Sequence, residues 1–318
     1  MNIYDRAMQY GLYGMLEATD RQSNGNTFFV DSGSGSNSAG GTWGQSWDTP
    51  YATVNYAVSK CTTGAGDVIL VAAGHAETIT ATSTASGVST GQFCIDKGDI
   101  SIIGMGRGTS RPTFTFTTAA AAGVKIVGTS PNVLLANLLF VSAFTNGITA
   151  GITAAANCYG LTIENCEFRE TLNTQEFLIS ISLAALIEDV VIRGNRFTGI
   201  AGGTCSEAIV CVGAAPRLQV YDNFFHGDWS AACITASAAA SLMVMIRDNH
   251  LYNLDPAVGK CVVVHAGTTG TFTGNYMHAG KDATNPLTST LLMCCENYAT
   301  NIEAESGNLA PAVGNWAT

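Results

Sequence analysis

An eight-residue pattern that returns six times between residues 133 and 277 limits what this chain can fold into more than any other feature. The copies are VLLANLLF (133–140), LTIENCEF (161–168), VVIRGNRF (190–197), LQVYDNFF (218–225), VMIRDNHL (244–251) and GTFTGNYM (270–277). Their last residues lie 28, 29, 28, 26 and 26 positions apart. Such regular spacing indicates an internal repeat, in which each copy belongs to one unit of a stacked array.

The octet combines apolar positions with a polar one. Its third and eighth residues are apolar in every copy. Its sixth residue is Leu138 or Cys166 in the first two copies and asparagine in the others, at Asn195, Asn223, Asn249 and Asn275. Alternating apolar residues followed by asparagine, which tolerates left-handed backbone angles, predict a short strand that ends in a bend.

Stacking of the repeats would turn equivalent positions into columns, because the coils of a β-solenoid lie about 4.8 Å apart. We therefore expect the four asparagines to form a hydrogen-bonded structural ladder inside the bend, and the phenylalanines to form a stack of rings. The octet resembles the right-handed parallel β-helix of the pectin-lyase-like superfamily. The resemblance implies an all-β, single-stranded solenoid whose coils have the 26–29 residues of the repeat.

Four segments are expected along the chain. Residues 1–22 predict a short N-terminal amphipathic helix, because apolar residues recur there at three- and four-residue spacing. Residues 23–67 predict a first strand, a Gly- and Ser-rich loop and a capping helix with Thr49 as N-cap and Pro50 in its first turn. Residues 68–305 are assigned to the parallel β-helix and residues 306–318 to a C-terminal tail.

The apolar stripe of the predicted N-terminal helix has two interpretations. It either covers the open end of the solenoid or attaches the protein to a partner or to copies of itself. The residues of the stripe are Ile3, Met8, Leu12, Met15 and Leu16.

Charge and composition exclude several classes of function. The formal charge is −10 with only 14 scattered basic residues, which argues against nucleic acid as a partner. No apolar run of 18 residues occurs, so no membrane span is predicted. Asp5, Arg6, Glu17 and Asp20 interrupt the first segment, so no signal peptide is predicted and folding in a cytoplasm is expected.

The ten cysteines predict buried thiols rather than a metal or redox site. Several of them lie in apolar runs such as AIVCV and KCVVV, and no pair has CxxC spacing. His75 and Glu77, in GHAET, are more typical of turn and cap positions than of metal ligands. No metal and no cofactor are therefore expected.

Asp222 and Asp248 are the candidates for catalysis, if the chain is an enzyme. Both occupy the fifth octet position, so stacking would make them neighbours, close to Arg247. Two close carboxylates beside an arginine can serve as acid and base. The alternative is that each aspartate accepts backbone hydrogen bonds at a bend. The GHG triplet and RIK-like basic pair of pectate lyases and polygalacturonases are absent from the sequence.

One outward row of side chains is a candidate for glycan contact. His226 and His278, with Arg169, Thr198 and Tyr252 between them, occupy the position after the octet. Such a row is also compatible with a solvated corner. The connections after the octets differ in length, and loops of this kind are where binding is expected.

The segments FFVDSGSGS, AGHAETI and IIGMGRGTSRPTFTF resemble β-helix proteins encoded by tailed bacteriophages. This resemblance implies a non-enzymatic structural protein on the virion surface, most simply a capsid decoration or cement protein. The alternative is a tailspike or fibre-type receptor-binding protein that binds or degrades polysaccharide. The implied partners are the major capsid protein or a tail component, in a homotrimer assembled in the host cytoplasm, with glycan contact in addition.

Overall fold

The structure, a computed structural model, describes residues 25–37, 43–257, 260–279 and 286–300, together with the short strand Trp316–Ala317. The predicted N-terminal helix, with its stripe of Ile3, Met8, Leu12, Met15 and Leu16, lies outside the described residues. Most of the predicted tail lies outside them as well.

The described residues form strands, one α-helix and one short 3-10 helix (Gly108–Ser110). In chain order the elements are β1 (Thr27–Val30), α1 (Val54–Lys60), β2 (Val68–Val71), β3 (Ala76–Ile79), β4 (Phe93–Ile95), β5 (Ser101–Gly104), β6 (Thr113–Phe116), β7 (Val124–Ile126), β8 (Leu134–Ala136), β9 (Leu139–Ser142), β10 (Ile152–Ala154), β11 (Thr162–Glu164), β12 (Glu167–Glu170), β13 (Ile179–Leu183), β14 (Val191–Arg193), β15 (Arg196–Thr198), β16 (Glu207–Cys211), β17 (Gln219–Tyr221), β18 (Phe224–Gly227), β19 (Ala232–Ala236), β20 (Val244–Arg247), β21 (His250–Asn253), β22 (Val262–Val264), β23 (Thr269–Thr273), β24 (Tyr276–Ala279), β25 (Leu287–Thr288), β26 (Leu291–Cys295), β27 (Tyr298–Thr300) and β28 (Trp316–Ala317).

The strands form three parallel sheets, and each coil of the chain contributes one strand to each sheet in turn. Sheet 1 has the order β1-β2-β5-β8-β11-β14-β17-β20-β23-β26. Sheet 2 has the order β3-β6-β9-β12-β15-β18-β21-β24-β27-β28, and sheet 3 has the order β4-β7-β10-β13-β16-β19-β22-β25. All the pairings between these strands are parallel and link successive coils. The predicted all-β parallel β-helix is therefore confirmed.

Each octet spans the bend between sheets 1 and 2, so it contains parts of two strands rather than one. The left-handed residue of the bend is at the fifth position, with φ of 56° at Asn137, 52° at Asn165, 56° at Asp222 and 55° at Asp248. The expectation that the sixth-position asparagine takes the left-handed angle is thus wrong. Because a non-glycine residue rarely adopts positive φ unless it is Asn or Asp, the fifth position explains its own composition.

The core fills the inside of the coils with columns of like residues. Phe140, Phe168, Phe197 and Phe225 are all at most 1% exposed and occupy one column on the inner face of sheet 2. The rings of Phe168 and Phe197 lie 4.9 Å apart and nearly parallel, as do those of Phe197 and Phe225 at 4.5 Å. Stacking on successive coils therefore removes these rings from water, which no single coil could do alone.

The single α-helix of the described residues begins later than predicted. Thr53, not Thr49, is its N-cap, because the Thr53 side chain accepts a hydrogen bond from the backbone N–H of Tyr56. Glu77 also accepts a hydrogen bond from the first helical N–H, at Val54, and contacts His75 Nε2 at 2.8 Å. Both residues thus tie the helix to the first coil. No helix in the described part of the chain is long and apolar enough to cross a membrane.

A seventh copy of the octet, LMCCENYA (292–299), escaped the sequence comparison. Its sixth residue is Asn297, and its eighth residue is Ala299 rather than a large apolar residue. The run LLMCC, which was grouped with the strands now assigned to sheet 3, forms β26 and pairs with β23 in sheet 1. The shorter spacing of 22 residues from Met277 to Ala299 hid the repeat.

Candidate functional site

The asparagine column is a continuous ladder of side-chain amides. Nδ2 of Asn195 donates to Oδ1 of Asn223 at 3.1 Å, and Asn223 donates in the same way to Asn249 at 3.0 Å. Asn249 donates to Asn275, and Asn275 to Asn297, both at 3.0 Å. These five side chains are at most 1% exposed. The ladder is a structural feature of the bend and not a binding site, since its polar atoms are used within it.

Cys166 ends the ladder on the side of the earlier coils. Its backbone N–H donates to Oδ1 of Asn195 at 2.9 Å, as a ladder asparagine would. Its buried thiol contacts the carbonyl oxygens of Leu135 and Glu164. Burial raises the pKa of the Cys166 thiol to about 12, which favours the neutral thiol.

Asp222 and Asp248 lie at the same bend on adjacent coils, as their octet position predicts. Both are exposed, and Asp248 Oδ2 forms an ion pair with Arg247 at 2.6 Å. The Arg247 guanidinium also lies over the ring of Tyr221, at 4.3 Å from its centroid. The left-handed backbone angle gives both aspartates a role in the bend. Their exposure keeps water on both carboxylates, whereas acid–base catalysis depends on a site that excludes it.

The outward side of sheet 2 carries an aromatic face, defined here by Phe224, His226, His250, Tyr252, Tyr276, His278 and Tyr298. Strand register places Phe224, His250, Tyr276 and Tyr298 in one column. It places His226, Tyr252 and His278 in a second, neighbouring column. Alternation along each strand puts both columns on the side opposite the buried phenylalanines.

Rings of the aromatic face touch along and across the two columns. The rings of Tyr252 and Tyr276 lie 5.7 Å apart, and those of Tyr252 and His278 lie 5.9 Å apart. Phe224 lies 6.0 Å from Tyr252 and receives the Arg196 guanidinium over its ring at 4.8 Å. His226 and His250 are exposed, and Tyr298 is 49% exposed. The sequence predicted the second column as an outward row but missed the first, whose residues fall inside the octets.

A second cluster, the acidic corner, lies where the chain leaves sheet 2 for sheet 3. We define it by Glu170, Glu176, Cys205 and Asp228, which are 7%, 2%, 0% and 8% exposed. Glu170 ends β12, and Asp228 follows β18 directly. Glu176 and Cys205 belong to the connections that precede β13 and β16. Three successive coils thus contribute to the corner.

Hydrogen bonds from the loop that follows β15 hold the carboxylates of the acidic corner. The N–H of Ile200 donates to Glu170 Oε2 at 2.8 Å, and that of Gly202 donates to Asp228 Oδ2 at 2.7 Å. Thr204 donates its N–H to Glu176 Oε1 at 2.6 Å and its hydroxyl to the same oxygen. Each carboxylate is therefore oriented by a backbone N–H of residues 200–204.

Burial sets the protonation of the acidic corner. It raises the pKa of Glu170 to about 8, and the nearby carboxylates of Glu176 and Asp228 raise it further, against hydrogen bonds that favour the ionised form. Burial, with the same three carboxylates, also raises the pKa of the Cys205 thiol far above its usual value. The corner as a whole therefore resists carrying its full negative charge.

The sequence analysis did not identify the acidic corner, although one signal was present. Side chains alternate along a strand, so Glu170 must point to the same side as the buried Phe168. A glutamate at an inward position of a solenoid is unusual enough to mark a site. The remaining members are on loops of unequal length, and nothing in the sequence shows that these loops meet.

No protein-family model and no curated protein matches the chain. Among solved structures, a GH136 lacto-N-biosidase from Eubacterium ramulus is similar, with 11% identity and a TM-score of 0.47 over 90% of this chain and 62% of that one. Its native form gives 12% and 0.41, over 90% and 60%. The pectate lyase Bsp165PelA from Bacillus sp. N165, in complex with trigalacturonate, gives 14% and 0.30, over 80% and 76%.

The chain spans less than two thirds of the length of the lacto-N-biosidase. At TM-scores below 0.5, these similarities carry no argument about activity. The three parallel sheets themselves establish the fold: the chain is a parallel β-solenoid, the architecture that the resemblance to the pectin-lyase-like superfamily implies.

Proposed function

We propose that this protein is a non-enzymatic structural protein of a bacteriophage particle that contacts an extended glycan along its aromatic face. The aromatic face carries the glycan part of the proposal. Its rings recur on successive coils, from Phe224 on β18 to Tyr298 on β27, and they stay accessible to solvent. A contiguous row of accessible rings of this size is typical of an interaction surface.

The chemistry of the aromatic face suits sugars. A sugar ring has a flat side of C–H groups and a rim of hydroxyls, so it is bound well by a flat apolar surface with polar groups at its edge. Tyrosine and histidine offer both in one side chain. Because parallel coils repeat about every 4.8 Å, the rings form a regular track suited to a polymer.

Absence of catalysis is supported by the placement of the acidic residues. Asp222 and Asp248 are exposed at bends, and Asp248 is paired with Arg247. The acidic corner is buried beneath its loop, beside the inner side of sheet 2, whereas the aromatic face is on the outer side. No carboxylate pair in the described residues therefore lies on the aromatic face itself.

Placement on a virion, as a capsid decoration or cement protein, is supported by the sequence resemblance to β-helix proteins of tailed bacteriophages. The proposed partners are the major capsid protein or a tail component, and the proposed assembly is a homotrimer. Quantitative mass spectrometry of purified particles tests this placement. A decoration protein is present in copy numbers comparable to the capsid protein. A few copies per particle would favour a tailspike or fibre, and absence from particles would overturn the virion proposal.

Affinity electrophoresis tests glycan contact. The protein is run through gels that contain xylan, β-glucan, alginate, polygalacturonate or bacterial capsular polysaccharide. We expect at least one polymer to retard it, and Tyr252→Ala and Phe224→Ala to weaken binding about fivefold each, since an aromatic contact contributes about 1 kcal/mol. Tyr159→Ala is the matched control, because Tyr159 is 52% exposed and lies outside sheet 2.

Three results would overturn the glycan proposal. The first is that no polymer retards the wild-type protein. The second is that Tyr159→Ala weakens binding as much as the two variants of the aromatic face do. The third is that Tyr252→Ala converts an oligomer into a monomer in size-exclusion chromatography with light scattering, because the face would then be an interface between copies of the chain.

A further inference from the structure

The acidic corner brings metal-ligating atoms close together. One carboxylate oxygen of Glu170, one of Glu176 and Sγ of Cys205 all lie within 4.8 Å of one another. All three residues are buried. A tetrahedral zinc site with bonds of about 2.0–2.3 Å has its ligand atoms roughly 3.3–3.8 Å apart, so a small contraction of the present arrangement would produce that geometry.

A second, independent observation points to a ligand. Oε2 of Glu176 is buried and has no hydrogen-bond partner within the described structure. The residue is 2% exposed, and its other oxygen is already held by Thr204. A buried carboxylate oxygen without a partner costs free energy, so such an atom in a folded protein calls for an explanation, and an ion is one of the few that exist.

The charge of the acidic corner is also unbalanced. Glu170, Glu176 and Asp228 form no ion pair with any described residue, whereas Glu164 and Glu167 on the same coils are paired with arginines. The groups that shift the pKa of Cys205 through their charge are all carboxylates. Buried charges in proteins are paired, neutralised by protons or bound to metals. A divalent cation would neutralise the corner without protons.

The loop above the acidic corner provides a path for an ion. Ala201, Gly202 and Thr204 are exposed, while their neighbour Cys205 is buried. The ligands therefore lie directly beneath a surface loop rather than deep in the solenoid. The backbone hydrogen bonds from this loop to Glu170, Glu176 and Asp228 orient the carboxylates from outside, as second-layer contacts do in metal sites.

The donor atoms select the kind of cation. Calcium and magnesium prefer sites made only of oxygen, whereas zinc accepts a mixture of thiolate sulfur and carboxylate oxygen. We propose that the acidic corner binds one divalent cation of the zinc class, with Glu170, Glu176 and Cys205 as its protein ligands. On binding, the Cys205 thiol loses its proton to solvent, and the ion takes the place of that proton. The site joins three coils at their most irregular corner, so its effect is structural.

Metal titration of the intact chain tests the site. Cys295 is replaced by serine in the background, since it is the one cysteine that is not fully buried. After removal of metal with EDTA, Co²⁺ is added as a spectroscopic probe and Zn²⁺ as its competitor. We expect one equivalent of Co²⁺ to give a thiolate-to-metal charge-transfer band, Zn²⁺ to displace it, and the melting temperature to rise.

Variants assign the ligands. Cys205→Ser and Glu176→Gln should weaken Zn²⁺ binding about 100-fold or more, because each removes one of three protein ligands. Cys158→Ser is the matched control: Cys158 is also a buried thiol that contacts a backbone carbonyl, but it lies at another corner. Its Zn²⁺ affinity should equal that of the background protein.

Several outcomes would overturn the proposal. They are the absence of a charge-transfer band, binding of Ca²⁺ in preference to Zn²⁺, and equal Zn²⁺ affinity in Cys205→Ser and the background protein. If a variant fails to fold, as judged by circular dichroism, the Co²⁺ spectrum of the background protein decides alone. A stoichiometry of zero there would mean that the corner is neutralised by protons.

Discussion

Oδ1 of Asn223 accepts two hydrogen bonds from Asn195, one from the backbone N–H at 2.9 Å and one from the side-chain amide at 3.1 Å. Asn223 in turn donates to the carbonyl oxygen of Ile192. Each ladder residue thus satisfies buried groups on neighbouring coils as well as its own. The ladder fixes the bend between sheets 1 and 2, and thereby the direction in which sheet 2 presents its outer side.

Replacement of Asn223 by leucine should destabilise the solenoid. Asn223→Leu leaves the buried backbone and side-chain donors of Asn195 without an acceptor, at a cost on the order of 1–3 kcal/mol. Urea denaturation followed by circular dichroism measures the free energy of unfolding. Asn173→Leu is the control, because Asn173 is exposed, and should change it by less than about 0.5 kcal/mol. Equal stability of Asn223→Leu and wild type would contradict the role of the ladder.

The bend and the inner columns could be predicted from the sequence because their causes are local. Positive φ selects Asn, Asp or Gly at the fifth octet position, and burial selects phenylalanine at the eighth, so both recur with the coil. Asn297 was missed because its coil is shorter and ends in Ala299. The rule was right, but the spacing on which it relied varied.

The acidic corner could not be assembled from the sequence. Glu170 could be placed inside by strand alternation, but Glu176, Cys205 and Asp228 lie on connections whose lengths differ from coil to coil. Their proximity depends on loop conformations that no repeat pattern encodes. The same holds for Thr53 as N-cap, since Thr49 and Thr53 precede the helix with similar sequence signals and only the structure shows which hydroxyl meets an amide.

The room available at Gly203 leads to a second prediction. A Cβ atom at Gly203 would collide with Oε2 of Glu176, which is held in place by Thr204. Gly203→Ala should therefore destabilise the protein by roughly 1–3 kcal/mol. Gly87→Ala is the control, because nothing lies within 4 Å of its added Cβ, and it should leave stability unchanged or slightly higher. Differential scanning calorimetry measures both, and equal melting temperatures would mean that Glu176 is free to move.

The native thiols should react slowly. Burial raises the pKa of Cys94 and of Cys158 to about 11, so at pH 8 only about one molecule in a thousand carries the thiolate at either site. Ellman's reagent should modify one thiol rapidly, that of Cys295, and all ten after denaturation. Raising the pH from 7 to 9 should leave the slow thiols mostly protonated. Rapid modification of several thiols in Cys295→Ser would contradict their burial.

Deletion of residues 1–22 tests their predicted role in attachment. If the stripe of Ile3, Met8, Leu12, Met15 and Leu16 lies between copies or against a virion protein, the shortened chain should stay folded but become monomeric or lose binding to particles. Substitution of Leu12 and Leu16 by serine should have the same effect on assembly without shortening the chain. Unfolding of the shortened chain in circular dichroism would instead assign the segment to a cap.

The isolated protein should not cleave polygalacturonate, alginate or bacterial capsule. Asp222 and Asp248 are exposed at successive bends, and Arg247 lies over Tyr221 while paired with Asp248, so none of the three is enclosed with a substrate. A positioned acid or base contributes about 10²–10⁴-fold to rate, and it needs a site that brings it within hydrogen-bond reach of the reacting proton. Ultraviolet detection of unsaturated products, together with a reducing-sugar assay, covers both lyases and hydrolases.

If activity appears, two variants decide its origin. Loss of cleavage in Asp222→Asn or Asp248→Asn, with unchanged affinity in gels, would make the pair of bends a catalytic site and overturn the non-enzymatic proposal. Loss of cleavage in Tyr252→Ala alone would place a substrate on the aromatic face and require a catalytic group on the same outer side of sheet 2. Arg196, exposed with its guanidinium over Phe224, is the charged side chain that the structure places there, so Arg196→Gln is the next variant to measure.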